Sequence, residues 1–373
     1  MKSVRDANLE GKTVFLRVDY NVPMENGKIL DNNRIKKSIA TVKYILEHKA
    51  KIVIATHLGK PKGKIDPKTS TIPLAAELAK ELKHKVNATD YLIDDSVKKA
   101  VGEMKIGDIL MLGNLRWNPG EESNDVEFAK ELASLADIYV NDAFGASHRA
   151  HASIEAITKN LPAYAGFLLE SEVTTLSLLL KNPVPPFMLI MGGAKIEDKA
   201  GLIENLADKV DKILVGGGIA NTFLKAKGED ISKSLYEPDM VDKCKELLSR
   251  LQGKIVLPVD SIYQKFENGD FSIMDIGYET RKIFSSEIAK AKTIFWNGNM
   301  GKTEDRQYEG GSKIIAQNIT DNEATSVVAG GDTVGFVLNN NLEEGISFIS
   351  TGGGAALEFL AGLKLPGIES LNN

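Results

Sequence analysis

The stretch FMLIMGGAKIEDK at residues 187–199 sets the pattern for the second half of this chain, because five apolar residues run directly into two glycines. Three further glycine clusters, 216–218, 330–331 and 352–354, also follow short apolar runs. A short apolar run is typical of a buried parallel strand, and glycine at its end lets backbone approach a ligand closely. Helices that start at such points offer unpaired N–H groups to anions. We therefore expect this half to bind a polyphosphate.

The rest of the chain alternates apolar runs with amphipathic helical patterns, which indicates repeated βα units and therefore an α/β fold with parallel sheets. In the first half we predict strands at 14–18, 51–55, 109–112 and 138–140, and helices at 34–48, 72–83, 126–135 and 170–181. In the second half we predict strands at 187–191, 213–215, 255–259, 293–296, 325–329 and 346–350. Helices are predicted there at 195–207, 219–227, 239–251, 311–319, 332–339 and 355–362.

Composition places the chain among globular proteins, since 43% of its 373 residues are hydrophobic and 26% are charged. We find no apolar stretch near twenty residues and no apolar signal core in residues 1–11, so we expect neither a membrane partner nor secretion. The single cysteine, Cys244, excludes an internal disulfide and fits a reducing cytoplasm. We therefore expect a cytoplasmic protein.

Charge is spread unevenly between the halves. The net charge of −5 argues against nucleic acid as a partner. Residues 1–181 hold 26 Lys and Arg against 24 Asp and Glu, whereas the remainder holds 20 against 27. The proline-rich segment 182–186 separates the two halves, because prolines at that density interrupt a helix and favour a stiff connector. We predict one domain over residues 1–181, the connector over 182–186 and a second domain from 187.

Arginine, histidine, asparagine and lysine follow the predicted strands of the first half, in the loops 19–21, 56–60, 114–116 and 142–151. Ligands of open parallel sheets bind beyond the carboxyl ends of the strands, so these side chains favour a small anion with carboxylate or phosphate groups. A hydrolase triad is not supported, because no serine stands in a nucleophile elbow. His148 and His151 could bind metal, but they have no acidic partner at zinc-ligand spacing. For His151, a structural role in a loop or in the core is the better interpretation.

Two stretches of the second half carry charged residues beside glycine. If a helix begins near Ala194, Lys195 and Lys199 lie one turn apart over its N-terminus and favour an anion between them; the alternative is a solvated lysine face. Asp332 after Gly330-Gly331 suits a nucleotide-bound Mg²⁺, or caps a helix. The stretch 298–303 lacks the first glycine of a Walker A loop, and 216–221 lacks the third glycine of a dinucleotide-binding fingerprint.

Long motifs run in order through both halves of the chain. The first half contains RVDYNVP at 17–23, HLGKPKG at 57–63, RWNPGEE at 116–122 and NDAFGASHRAHAS at 141–153. The second half contains GGAKIEDK at 192–199, LPVD at 257–260, WNGNMG at 296–301, GGDT at 330–333 and STGGGAALEFL at 350–360. The first set resembles the first domain of the phosphoglycerate kinase family, and the second set resembles its second domain. The resemblance implies two Rossmann-like domains joined by a hinge, here 1–181 and 187–360, with residues 361–373 forming a tail that returns to the first domain.

The resemblance also implies a role for each matching residue. Those that would bind 3-phosphoglycerate or 1,3-bisphosphoglycerate are Asp19, Asn21, Arg34, His57, Lys60, Arg116 and Arg149. Those that would bind ADP or ATP are Gly192, Gly193, Ala194, Lys195, Lys199, Gly217, Asn297, Glu304, Gly330, Gly331, Asp332 and Thr333, with Asp332 the ligand of nucleotide-bound Mg²⁺. Those that would act on the transferring phosphoryl group are Arg34, Lys195, Lys199, Gly352 and Gly353.

The implied reaction is a reversible, Mg²⁺-dependent phosphoryl transfer between 1,3-bisphosphoglycerate and ADP, with hinge-bending closure, by a cytoplasmic monomer. The chain departs from the family at a few positions. Lys60 stands where the family has arginine, Asn299 where it has proline, and Lys302-Thr303 where it has Val-Phe. These departures leave open a second reading, a nucleotide- and phosphoglycerate-binding protein with little turnover. A dehydrogenase is a more distant alternative.

Overall fold

The computed structural model describes residues 1–372, and the chain in it divides into two compact units. One unit holds residues 1–174 together with the chain from Lys364 onward, and the other holds residues 175–363. Asn373, the last residue of the predicted tail, lies outside the described residues. No helix of the described residues is long and apolar enough to cross a membrane.

The first unit contains eight strands and the helices that connect them. The strands are β1 (Thr13–Val18), β2 (Met24–Glu25), β3 (Lys28–Ile29), β4 (Lys51–Ala55), β5 (Asn87–Ala88), β6 (Ile109–Met111), β7 (Ile138–Asp142) and β8 (Ala163–Ala165). The helices are α1 (Asn33–Glu47), α2 (Ile72–Leu82), α3 (Asp95–Gly102), α4 (Pro119–Glu122) and α5 (Val126–Ala133). Helix α6 (Phe167–Lys181) begins in this unit.

Six of these strands form one parallel sheet in the order β5-β6-β4-β1-β7-β8. Strands β1 and β7 are buried along their whole length, since helices cover both faces of a parallel sheet. From β1 the chain continues to β4, β5 and β6 on one side of β1, and it then crosses to β7 and β8 on the other side. The sheet therefore has a topological switch point beside β1, where ligands of such sheets bind.

Residues 364–372 pack on the first unit. Residues Pro366–Glu369 form a short helix there, α14, after the last elements of the second unit. The backbone N–H of Gly367 donates to the carbonyl of Ser147 over 2.9 Å, and the Asn141 side-chain amide donates to the Gly367 carbonyl over 3.3 Å. A Cβ at Gly367 would lie 2.7 Å from Ile154, so a larger residue would push the tail away.

The second unit contains a sheet, a hairpin and seven helices. Its strands are β9 (Phe187–Met191), β10 (Lys212–Val215), β11 (Ile255–Val256), β12 (Ser261–Lys265), β13 (Phe271–Ile276), β14 (Thr293–Asn297), β15 (Thr325–Ala329) and β16 (Phe348–Ile349). Its helices are α7 (Glu197–Leu206), α8 (Gly217–Ala226), α9 (Val241–Arg250), α10 (Tyr278–Ile288), α11 (Gly310–Thr320), α12 (Gly331–Asn339) and α13 (Gly354–Leu360).

The second sheet is also parallel, in the order β11-β10-β9-β14-β15-β16. Its central register pairs Met191 with Asn297, Asn297 with Ala329, and Met191 with Val215. Because these residues are at the same level, the glycines that follow them meet at one edge of the sheet. The switch point lies between β9 and β14, so the loops after these two strands hold the expected ligand position.

The prediction of an α/β fold with parallel sheets is confirmed, and several element predictions are wrong. The strands predicted at 255–259 and 346–350 contain only two strand residues each. The antiparallel hairpin of β12 and β13 and helix α10 were not predicted. The predicted helix at 195–207 begins at Glu197 instead, which changes the interpretation of the lysines beside it.

Candidate functional site

The carboxyl edge of the first sheet carries an ion pair between two of the predicted site residues. Arg34 lies in the first turn of α1, and its Nη1 is 2.7 Å from Asp19 Oδ2 in the loop after β1. Asn21 Oδ1 accepts a hydrogen bond from the backbone N–H of Gly59 over 2.9 Å, which joins the loops after β1 and β4. Arg34 remains 29% exposed, so its guanidinium can still reach a ligand.

His57 is buried beside an arginine that the sequence analysis did not single out. Arg17 is fully buried in β1, and its Nη2 lies 3.3 Å from His57 Nδ1. Since a guanidinium only donates, Nδ1 must accept, and the ring proton is then on Nε2. Burial, together with the Arg17 charge, holds the pKa of His57 well below its usual range. His57 is therefore a neutral hydrogen-bond donor.

A buried carboxylate balances Arg17. Glu121 Oε1 is 3.8 Å from Arg17 Nη2, and both side chains are fully buried. The hydroxyl of Ser153 donates to Glu121 over 2.7 Å and accepts from Arg17 Nε over 2.8 Å. His151 Nδ1 lies 3.7 Å from the same carboxylate, and burial lowers the pKa of His151 to about 3. This network fixes the position of Arg17 and, through Arg17, that of the His57 ring.

The remaining predicted residues of the first unit differ in exposure. Arg116 is buried, and its Nη1 donates to the Gly59 carbonyl over 3.0 Å while Nε lies 3.3 Å from Glu122. Arg149 is exposed and donates through Nε to His148 Nε2 over 3.1 Å. Lys60 is exposed beside Gly59. The loops after β1 and β4 thus bring Asp19, Asn21, Arg34, His57 and Arg116 into one connected group.

In the second unit, the predicted glycines allow two strand ends to approach closely. A Cβ at Gly192 would lie 2.2 Å from the carbonyl oxygen of Asn299, and a Cβ at Gly298 would lie 2.0 Å from that of Gly192. Gly298 also has φ +95°, which disfavours any side chain. The N–H of Gly193 donates to the Asn299 carbonyl over 2.8 Å. Only glycine permits this junction of the loops after β9 and β14.

The sequence interpretation required the two predicted lysines to lie on one helical face. The structure does not place them on one face. Because α7 begins at Glu197, Lys195 precedes the helix and is exposed, whereas Lys199 is buried in its first turn. Lys199 Nζ donates to the carbonyl of Gly192. Burial lowers the pKa of Lys199 from 10.5 to about 8. Lys195 is therefore an exposed cation, whereas Lys199 is held by the backbone of the loop after β9.

Helix α8 starts against the lysine-bearing turn. Gly217 has φ +59°, and its N–H donates to the Met300 carbonyl over 2.9 Å. A Cβ at Gly218 would lie 2.6 Å from the carbonyl oxygen of Ala194. The glycines at 217 and 218 therefore bring the start of α8 against residues 193–194.

The start of α12 is organised around Asn297. Its side-chain amide donates to the Ala329 carbonyl over 2.8 Å, and a Cβ at Gly330 would lie 2.5 Å from it. Thr333 is buried and accepts the N–H of Gly298 over 2.7 Å. Asp332 is exposed in the first turn, and no side-chain hydrogen bond caps α12 within residues 1–372. The alternative reading of Asp332 as a cap is therefore not supported.

An exposed carboxylate beside a glycine-lined edge fits a Mg²⁺ that is held mainly by phosphate oxygens, since this ion takes one or two carboxylates plus phosphates. Within the described part of the chain, no three His, Cys, Asp or Glu side chains cluster closely enough to hold a metal ion by themselves. Asp332 is thus suited to a metal that arrives with its nucleotide.

The loop after β14 contains Asn299, Lys302 and Thr303, for which the family resemblance led us to expect proline, valine and phenylalanine. The Asn299 amide donates to the hydroxyl of Thr303 over 2.7 Å, so two of these departures contact each other. Asn299 Oδ1 is buried and has no hydrogen-bond partner among residues 1–372. Glu304 follows directly and is exposed. Two side chains of this loop are therefore joined by a polar contact of their own.

The fourth glycine cluster forms a separate helix start. Gly352 donates its N–H to the hydroxyl of Ser350 over 3.1 Å. Gly353 precedes α13 with φ +52°, and a Cβ there would meet nothing within 4 Å. Position 353 therefore favours glycine because of its backbone conformation and not because space is lacking.

Three residues of these sites escaped sequence reasoning: Arg17, Glu121 and Ser153. All three lie inside the motifs that carry the family resemblance, but neither a charge nor a hydroxyl indicates which distant residue it will contact. The one available hint was an arginine inside a run predicted to be a buried strand, since a buried charge requires pairing.

The family model for phosphoglycerate kinase matches residues 4–363 of this chain. Curated relatives agree: the phosphoglycerate kinase of Fervidobacterium nodosum is 44% identical over 390 residues, covering 99% of this chain and 98% of its own length. The phosphoglycerate kinase of Finegoldia magna is 43% identical over 390 residues, covering 100% and 99%.

Solved structures show the same likeness. A phosphoglycerate kinase from Coxiella burnetii superposes with a TM-score of 0.87 at 39% identity, covering 99% of this chain and 98% of that one. A phosphoglycerate kinase from Pyrococcus horikoshii OT3 superposes with a TM-score of 0.91 at 32% identity, covering 100% and 98%.

Proposed function

Because the chain belongs to the phosphoglycerate kinase family, a family of phosphotransferases with a carboxyl group as acceptor, we propose that it transfers a phosphoryl group reversibly between 1,3-bisphosphoglycerate and Mg-ADP. The products in one direction are 3-phosphoglycerate and Mg-ATP. This is a step of glycolysis and, in reverse, of gluconeogenesis.

The first unit binds the phosphoglycerate in this proposal. The residues concerned are Asp19, Asn21, Arg34, His57, Lys60, Arg116 and Arg149. Asp19 is the one anion among them and accepts a hydrogen bond from Arg34. Arg34 and Arg116 supply planar donors that match carboxylate and phosphate oxygens. His57 donates from Nε2 as a neutral ring, because Arg17 occupies Nδ1. The exposed Lys60 and Arg149 add charge at the rim.

The second unit binds the nucleotide at its glycine-lined edge. The residues concerned are Gly192, Gly193, Ala194, Lys195, Lys199, Gly217, Asn297, Glu304, Gly330, Gly331, Asp332 and Thr333. Lys195 and Lys199 neutralise phosphate oxygens, and Gly352 and Gly353 lie near the transferring group. Gly353 offers its backbone N–H there, whereas that of Gly352 is held by the Ser350 hydroxyl. The exposed Glu304 contacts ribose. When bound, Mg²⁺ supplies charge neutralisation at the phosphates, and Asp332 would hold it.

The chemistry requires positioning rather than proton transfer. Toward ATP, a nucleotide β-phosphate oxygen bonds to phosphorus as the bond from phosphorus to the acyl oxygen breaks, and the leaving group is a carboxylate. In reverse that carboxylate is the nucleophile and is ionised at pH 7, so no general base is needed. The loose, anionic transition state is stabilised by Arg34, Lys195 and Lys199.

The donor and acceptor residues lie in different units, so we infer a hinge-bending closure that brings the ligands together and excludes water. We place the domain border at 181, the connector at 182–186 and the second domain at 187–360. We also propose a cytoplasmic monomer. Small-angle scattering that stays unchanged when both substrates bind would contradict closure, and sedimentation tests the monomer.

The observation that carries the proposal is the shared level of the strand ends in the second sheet, which gathers the glycines and Lys199 at one edge. The test is a coupled assay for ATP formation from 1,3-bisphosphoglycerate, with ADP and GDP side by side. We expect turnover with ADP. Tight binding of both substrates without turnover would instead favour a binding protein.

A further inference from the structure

The N-terminus of α7, which the sequence analysis assigned to a phosphate, is already occupied by a side chain of the protein. Glu237 lies between α8 and α9, and its Oε2 accepts the backbone N–H of Ile196 and, over 3.3 Å, that of Glu197. These are two of the N–H groups that a helix start leaves unpaired. Phosphate binding near α7 therefore depends on the lysine side chains rather than on these amides.

Glu237 is itself anchored to α8. Its backbone N–H donates to the hydroxyl of Thr222 over 3.1 Å, and that hydroxyl donates to the Gly218 carbonyl over 2.9 Å. Thr222 is fully buried. The carboxylate and the backbone of Glu237 thus join the beginning of α7 to the beginning of α8.

Both joined segments carry residues of the proposed nucleotide site. Lys195 directly precedes Ile196, and Lys199 lies in the first turn of α7 with its Nζ on the Gly192 carbonyl. A Cβ at Gly218 would lie 2.6 Å from the Ala194 carbonyl, so the two segments also touch directly. A shift of the α7 start would move both lysines relative to the glycine-lined edge.

We propose that Glu237 is a positioning residue for the phosphoryl transfer, which fixes the turn 194–197 so that Lys195 and Lys199 meet the transferring group. This inference rests on the proposed function. The carboxylate acts through hydrogen bonds to the backbone and makes no contact with substrate. The role therefore requires a side-chain oxygen at this position that accepts the two backbone N–H groups. The amide oxygen of glutamine can do so as well.

The test compares Glu237→Ala and Glu237→Gln with a matched control, Glu229→Ala, in the ATP-forming assay. Glu229 is exposed on the same loop and pairs only with Lys227, over 3.1 Å, in the described structure. We expect Glu237→Ala to lower kcat roughly tenfold or more, since small misplacement of a catalytic group is costly. The KM for 1,3-bisphosphoglycerate should not change, because that substrate binds the other unit. Glu237→Gln should retain most of the activity.

Amide hydrogen exchange gives a readout that does not depend on activity. In Glu237→Ala we expect faster exchange at Ile196 and Glu197, and no change there in Glu229→Ala. Unchanged kcat in Glu237→Ala, or equal losses in the Ala and Gln variants, would overturn the inference, as would unchanged exchange at both amides. If the wild-type protein forms no ATP, the proposed function fails, while exchange still tests the contact.

Discussion

Replacing Lys199 by methionine should make the protein more stable, while it removes a charge that we propose acts on the phosphoryl group. Lys199 is 8% exposed, and burial lowers its pKa from 10.5 to about 8. The folded state therefore holds the proton less tightly than the unfolded state does. At pH 7 the folded protein must bury a charged lysine, which lowers the free energy of unfolding.

The size of this cost follows from the shift in pKa. A change from 10.5 to about 8 corresponds to about 3 kcal/mol of lost stability below pH 8. Methionine also gives up the hydrogen bond to the Gly192 carbonyl, which contributes about 1 kcal/mol. We expect Lys199→Met to gain about 2 kcal/mol at pH 7 from the balance of these two effects.

The pH dependence has a definite sign. As pH rises from 8 to 10.5, folded Lys199 loses its proton while the unfolded lysine keeps its own, so the wild-type protein recovers the lost stability. The advantage of the methionine variant should shrink over the same range. Urea unfolding at pH 7 and pH 10 measures the free energy of unfolding of the wild type and of Lys199→Met. The other titrating groups are the same in both proteins, so their contributions cancel in the difference.

Lys195→Met is the matched control, because Lys195 belongs to the same turn but is exposed. It should lose activity and leave the free energy of unfolding unchanged within about 0.5 kcal/mol. If Lys199→Met is no more stable than wild type at pH 7, and the difference does not change toward pH 10, the buried-charge reasoning is wrong.

Three further outcomes are expected. The His57 ring should show no protonation step between pH 6 and 8 by NMR, because its pKa lies well below 6.5; a step near pH 6.5 would contradict its burial beside Arg17. Gly298→Ala should abolish measurable ADP binding by calorimetry, since a Cβ there would lie 2.0 Å from the Gly192 carbonyl oxygen; wild-type affinity would refute the steric argument. Thr303→Val should lower the free energy of unfolding by about 1–3 kcal/mol in urea, because the Asn299 amide loses its acceptor; an unchanged midpoint would mean that this bond is dispensable.

The strands around the glycine clusters could be predicted because each is a short apolar run that leads into glycine. The run 187–191 is followed by Gly192, and the structure places strand and glycine as the pattern indicated. The hairpin of β12 and β13 was missed because β12 is largely exposed and β13 only partly buried, so their mixed polar and apolar residues form no continuous apolar pattern. Sequence alone therefore identified the sheet cores better than the surface additions.

The helix that follows Gly193 was placed too early for a tertiary reason. Local sequence permits a helix from Ala194, but the Glu237 carboxylate accepts the N–H groups of Ile196 and Glu197 and fixes the start there. The partners of Arg17 were likewise invisible, since Glu121 and Ser153 are more than a hundred residues away. Contacts of this range depend on the complete fold.

The central claim is that Arg34 in one unit and Lys195 in the other act on the same phosphoryl group. A single-turnover measurement of ATP formation, with both substrates shown to be bound, tests it in Arg34→Ala and Lys195→Met. Each variant should bind its substrates and transfer roughly a hundredfold more slowly, as expected for a lost transition-state donor. Near-normal transfer in either variant would contradict the account.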